Sequence, residues 1–82
     1  MKRLGNMKNK IINKLIKRCN SKLTEAISNN DKKAVKLYTT IHAMLYTENP
    51  FDNLYVSVAI NVLTDLGYSL NYAKTLYKQL IK

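Results

Sequence analysis

Pro50-Phe51-Asp52-Asn53-Leu54-Tyr55-Val56-Ser57-Val58-Ala59-Ile60-Asn61-Val62-Leu63-Thr64-Asp65-Leu66 is free of charge between Asp52 and Asp65, in a chain of formal net charge +9. On a helical wheel Phe51, Tyr55, Val58, Ala59, Val62, Leu63 and Leu66 fill one broad arc, and Val56 and Ile60 widen it. Asn53, Ser57, Asn61 and Thr64 keep only a narrow polar strip. A helix apolar over more than half its circumference is normally surrounded by other helices. The stretch therefore predicts the central helix, about 50–66, of a small all-α domain. Asn49 suits its N-cap, Pro50 its first position and Asp52 its third, where a carboxylate faces the positive end of the helix dipole. Gly67 is the residue that most readily takes the left-handed conformation just past a helix end.

Working outward, Ser69 can cap a last helix to about Ile81, with Leu70, Ala73, Leu76, Tyr77 and Leu80 inward. Asn71, Lys74, Thr75, Lys78 and Lys82 line its outward face. Upstream, Asp31 or Asn30 opens a helix whose apolar stripe is Ala34, Leu37, Tyr38, Ile41, Met44 and Leu45. Further upstream, Ile11, Ile12, Leu15, Ile16, Cys19, Leu23, Ala26 and Ile27 recur at three- and four-residue steps. They predict a helix over about 7–28, capped by Asn6, with the weak helix formers Asn20-Ser21 as a point where it could divide. No segment alternates with period two, and no repeat or linker interrupts the pattern. Residues 1–82 read as one helical domain of four helices with short connections.

At 82 residues the chain fits one domain, and one so short buries only about 60–65% of the surface its unfolded form exposes. An apolar stripe left over on such a domain invites self-association, and a homodimer is one expectation. Lysine outnumbers arginine 12 to 2, with 10 asparagines and 7 isoleucines, a mixture typical of AT-rich coding sequence such as that of many bacteriophages and low-GC bacteria. Cys19 is the one cysteine, which excludes an intramolecular disulfide and fits a reducing, cytoplasmic setting. Lysines at 8, 10, 14 and 17 interrupt any leader-like apolar run. The longest uncharged run is 53–64, about half of a membrane span.

Charge divides unevenly. Residues 1–23 carry +8, residues 24–49 balance, residues 50–73 carry −2 and residues 74–82 carry +3. If the first and last helices are neighbours, they present one basic surface. Around Gly67, residues Ala59 to Lys78 resemble a helix-turn-helix, the unit whose second helix enters the major groove. Val62 and Leu66 lie inward before the turn, and Tyr68, Ala73 and Leu76 after it. Leu63 departs from the pattern where a small residue is usual, and Leu70 where a polar one is. The resemblance implies that Ser69, Asn71, Lys74, Thr75 and Lys78 face bases and phosphates. Lys10, Lys14, Lys17 and Arg18 on the first helix would add phosphate contacts, although a lysine-rich amphipathic helix equally suits an acidic protein or a solvated face.

Six tyrosines interleaved with lysine could stack bases. Tyr38, Tyr55 and Tyr77 fall on apolar stripes and are expected in the core, leaving Tyr46 and Tyr72 exposed. Catalysis has no footing: one histidine (His42) and one cysteine form no motif, no carboxylates pair for acid–base work, and no glycine-rich phosphate loop exists. Neither a metal nor another cofactor is implied. The expectation is a non-enzymatic, basic, nucleic-acid-binding regulator, duplex DNA favoured. The alternative is a phage protein–protein interaction module that inhibits or modulates a host or phage protein, in host takeover, anti-defence or lysis regulation.

Overall fold

A computed structural model describes residues 2–81, and their side chains from Lys8 onward. Lys82, expected on the outward face of the last helix, lies outside what is described, and Asn6, expected as the cap of a helix from about 7, lies within the first helix, which begins at Lys2. The chain is all-α, with four helices: α1 (Lys2–Ser28), α2 (Lys32–Leu45), α3 (Val56–Asp65) and α4 (Leu70–Leu80). Among the described residues there are no strands.

α1 runs unbroken through Asn20-Ser21, because it lies along α2 and the packing of that pair outweighs the weak local propensity. It ends at Asn30, whose φ of 59° takes the left-handed position usual for glycine. The amide of Asp31 donates to the Ala26 carbonyl at 2.9 Å and that of Asn30 to Ile27 at 3.1 Å, which satisfies the carbonyls of the last turn. Asp31 then caps α2, its carboxylate accepting from the Ala34 amide at 3.2 Å. The same termination recurs at Gly67 (φ 103°): Gly67 donates to Thr64 at 2.9 Å and Tyr68 to Leu63 at 3.3 Å. Ser69 caps α4 by accepting from the Tyr72 amide at 3.2 Å.

The helix expected over 50–66 is shorter than its pattern. Asn49 does not cap it but adopts a positive φ of 50°. Residues 50–54 form successive turns, in which the Asp52 amide donates to Asn49 and the Leu54 amide to Phe51. α3 opens at Val56 with Tyr55 as N-cap, and no side chain caps it. Tertiary anchoring overrides the local start signal: Phe51 is 1% exposed in the core, Leu54 packs beside it, and Asp52 meets Lys8 at 3.7 Å. Nor is the helix wrapped on all sides. Ala59, Ile60 and Leu63 are buried, but Tyr55 is 83% exposed, Val56 58% and Val58 41%. Tyr55, expected in the core, is instead an exposed aromatic. Tyr38 and Tyr77 are half-buried, and Tyr46 and Tyr72 are exposed.

The core joins Leu15 and Cys19 of α1, Ile41 and Leu45 of α2, Phe51, the inner face of α3 with Leu66, and Ala73, Leu76 and Leu80 of α4. Leu70, read as inward, is largely exposed, as are Ile27 and Leu37. α1, about 40 Å long at 1.5 Å per residue, matches the longest dimension of the molecule, 43 Å. α3 and α4, each about 15 Å long, cover only part of it. Between residues 20 and 37 only Ala26 is buried, and none belongs to the main core cluster, so that end of the α1–α2 hairpin projects as a two-helix arm.

Candidate nucleic-acid interface

Three lysines of α1, Lys10, Lys14 and Lys17, stand exposed on the face opposite Leu15 and Cys19. Spaced i, i+4, i+7, they form a stripe about 10 Å long, the rise of about three phosphates along one DNA strand. Among the described residues the one ion pair within 4 Å is Lys8–Asp52, so this stripe has no carboxylate partner.

Arg18 is directed elsewhere. Its Nε donates to the Leu66 carbonyl at 2.6 Å, and its guanidinium lies 4.6 Å from the centre of the Tyr68 ring. Leu66 is the C-terminal cap of α3, where the carbonyls are unsatisfied and the dipole is negative, so a guanidinium there is favoured by hydrogen bond and field together. The Tyr68 hydroxyl is pushed above its ordinary pKa, chiefly by burial, with Arg18 acting in the opposite direction. Lys22, one turn on, also approaches the turn: a Cβ built on Gly67 would lie 3.5 Å from its Cε and 2.9 Å from Nη2 of Arg18. Lys17, Arg18, Ser21, Lys22 and Glu25 together line a shallow depression beside the turn.

On α4, Asn71, Lys74, Thr75 and Lys78 are exposed along one face, as their spacing predicts. Two of the polar groups have local duties. Ser69 Oγ is occupied as the cap, and the Thr75 hydroxyl donates to the Asn71 carbonyl at 3.2 Å. α1 and α4 are in contact, the condition on which a shared basic surface depends. Lys74 and Lys78, however, border α3 rather than α1: with Val56, Ile60, Tyr77 and Ile81 they line one groove. The start of α3 thus lies beside the end of α4, and the pair forms a hairpin closed at Gly67.

That groove was not foreseen as a site. Its signal was present in Val56 and Ile60, which widen the apolar arc beyond what one packing face needs. Two other polar groups of the interior are hydrogen-bonded to backbone carbonyls. Cys19 Sγ donates to the Tyr38 carbonyl at 3.2 Å and burial pushes the thiol above its usual range. The Tyr38 hydroxyl donates to the Asp65 carbonyl at 2.9 Å, tying α2 to the end of α3. His42 rests against the Tyr46 ring, 4.9 Å between centroids, and its Nε2 is buried with no hydrogen-bond partner among the described residues.

Among the described residues no helix is long and apolar enough to cross a membrane. Compared with known proteins, no family model, curated protein or solved structure matches the chain.

Proposed function

We propose that this chain binds nucleic acid, duplex DNA in preference, as a non-enzymatic regulator, in keeping with the phage or mobile-element setting that its AT-rich composition fits. The observation that carries the reading is the unpaired stripe Lys10, Lys14 and Lys17 on the solvent face of α1. Exposed lysines with no acid partner release counterions when they meet phosphates, and that release is the main source of sequence-independent affinity. Asn71, Lys74 and Lys78 on α4 are the groove-facing set: asparagine pairs with adenine, lysine with guanine or phosphate. Arg18 supports them indirectly by holding the turn from which α4 starts.

Fluorescence anisotropy of labelled duplex, single-stranded DNA and RNA across a salt series tests this. Duplex affinity should fall with a log–log slope of about −0.9 per phosphate engaged. Replacing Lys10, Lys14 and Lys17 by Glu should flatten the slope by about three phosphates' worth. No measurable binding at low salt, or a slope unmoved by the triple charge reversal, would refute the reading. The second reading, an interaction module for another protein, is favoured by the α3–α4 groove.

A further inference from the structure

Val56 and Ile60 at the start of α3, with Tyr77 and Ile81 at the end of α4, form the floor of a groove whose rim carries Lys74 and Lys78. We propose that this groove receives one amphipathic helix of a partner protein, with apolar residues at i, i+4 and i+7 and two carboxylates one turn apart beside them. The inference shares Lys74 and Lys78 with the nucleic-acid reading but does not need the α1 stripe, so charge reversal of Lys10, Lys14 and Lys17 tests that reading and leaves this one untouched.

Three observations select this occupant. The first is apolar surface. Val56 and Ile81 are 58% and 44% exposed, and two aliphatic side chains left open beside buried Ile60 and half-buried Tyr77 offer a continuous apolar track between paired helices. A track of that kind accepts a third helix by its i, i+4, i+7 face. The second is charge. Lys74 and Lys78 are one turn apart on α4, and among the described residues no acid lines the groove. Carboxylates one turn apart on an incoming helix meet both ammonium groups at once, which sets register and orientation as well as affinity.

The third observation excludes a second copy of this chain. α1 carries only Glu25 among its residues, α3 only Asp65, and α2 and α4 carry no acid. No helix of the chain therefore presents two carboxylates. A two-fold pairing of groove on groove would instead bring four lysines together, a repulsive arrangement. Nucleic acid also fits the floor poorly. Its bases stack on aromatic faces, whereas three of the four floor residues are aliphatic.

The test is a selection of helical peptides of about 15 residues from a random displayed library against the full chain, with each enriched peptide compared to its scrambled form. Enriched peptides should share the apolar spacing and the paired acids. A bound peptide should move the methyl resonances of Val56, Ile60 and Ile81. The double variant Lys74→Glu, Lys78→Glu should weaken binding about tenfold or more, and a peptide with its two acids changed to lysine should regain affinity for that variant. Val56→Asp changes an exposed side chain, so it should abolish binding while the circular dichroism of the chain stays unchanged. The proposal is overturned if no peptide enriches, if the enriched peptides lack paired acids, or if the charge swap has no effect. It is equally overturned if sedimentation shows a dimer that Val56→Asp dissolves, or if a single-stranded oligonucleotide moves the same methyls.

Discussion

Arg18 shows how one side chain can join three elements of a small domain. From the middle of α1 it caps the end of α3 through the Leu66 carbonyl and covers Tyr68 at the entry to α4. Arg18→Ala should lower stability by about 2–4 kcal/mol, the sum of a charge-assisted hydrogen bond and a partly exposed cation–π contact. Arg18→Lys should recover only part of it, since an ammonium lacks the planar fork that reaches carbonyl and ring together. Urea denaturation midpoints of the three proteins check the order. A second prediction concerns pH. Burial raises Cys19, Tyr38 and Tyr68 above their ordinary values of 9.0 for the thiol and 10.0 for the phenols. The folded chain holds these protons more tightly than the unfolded one, so their contribution is complete below the ordinary values and is lost as pH rises from these to the raised folded-state values. Thermal midpoints should be flat near neutrality and decline on the alkaline side, the thiol's share first. Cys19→Ala should remove that first part of the decline.

At the scale of elements, local caps and turns were legible, but one helix start was not. Asn30, Asp31, Gly67 and Ser69 do in the structure what their residue types imply, because caps depend on backbone geometry within a few residues. Asn49-Pro50-Phe51-Asp52 is an equally good start signal, yet the helix begins at Val56. Phe51 explains the difference: seated in the core at 1% exposure, it holds the segment in turns. Phe51→Ala should therefore cost about 3–5 kcal/mol, far more than a loop position ordinarily would. Asn49→Ala, if Asn49 were a helix cap, would cost about 1 kcal/mol through a lost hydrogen bond. At its positive φ the cost should instead be that of left-handed strain, so Asn49→Gly should be neutral or stabilising. Denaturant titration of the Phe51 and Asn49 variants separates the two accounts.

For the whole molecule, the decisive feature is the mismatch in length between α1 and the α3–α4 pair. Between residues 20 and 37 only Ala26 is buried, so the arm is held mainly by the packing of α1 on α2. Amide hydrogen exchange should be faster in the arm than in residues 10–19 and 38–45, since segments with little buried apolar area open at lower free energy. Uniform protection along α1 would contradict this. The same arrangement turns one face of α3 to solvent and so creates the groove: Val56 looks like a core residue, as Ile60 is, until the number of neighbours is known. By itself the sequence determined the helical class, the number of helices, the turn at Gly67, the caps at Asp31 and Ser69, and the exposure of Lys10, Lys14, Lys17, Lys74 and Lys78. These follow from periodicity and local backbone chemistry, which act over a few residues. Only the tertiary structure decided that Phe51 displaces a helix start, that Arg18 points to the end of α3, and that the broad apolar arc of α3 is covered on one side only. Each of those depends on which surfaces meet across tens of residues, and packing at that range is set by the competition of all four helices for one small core.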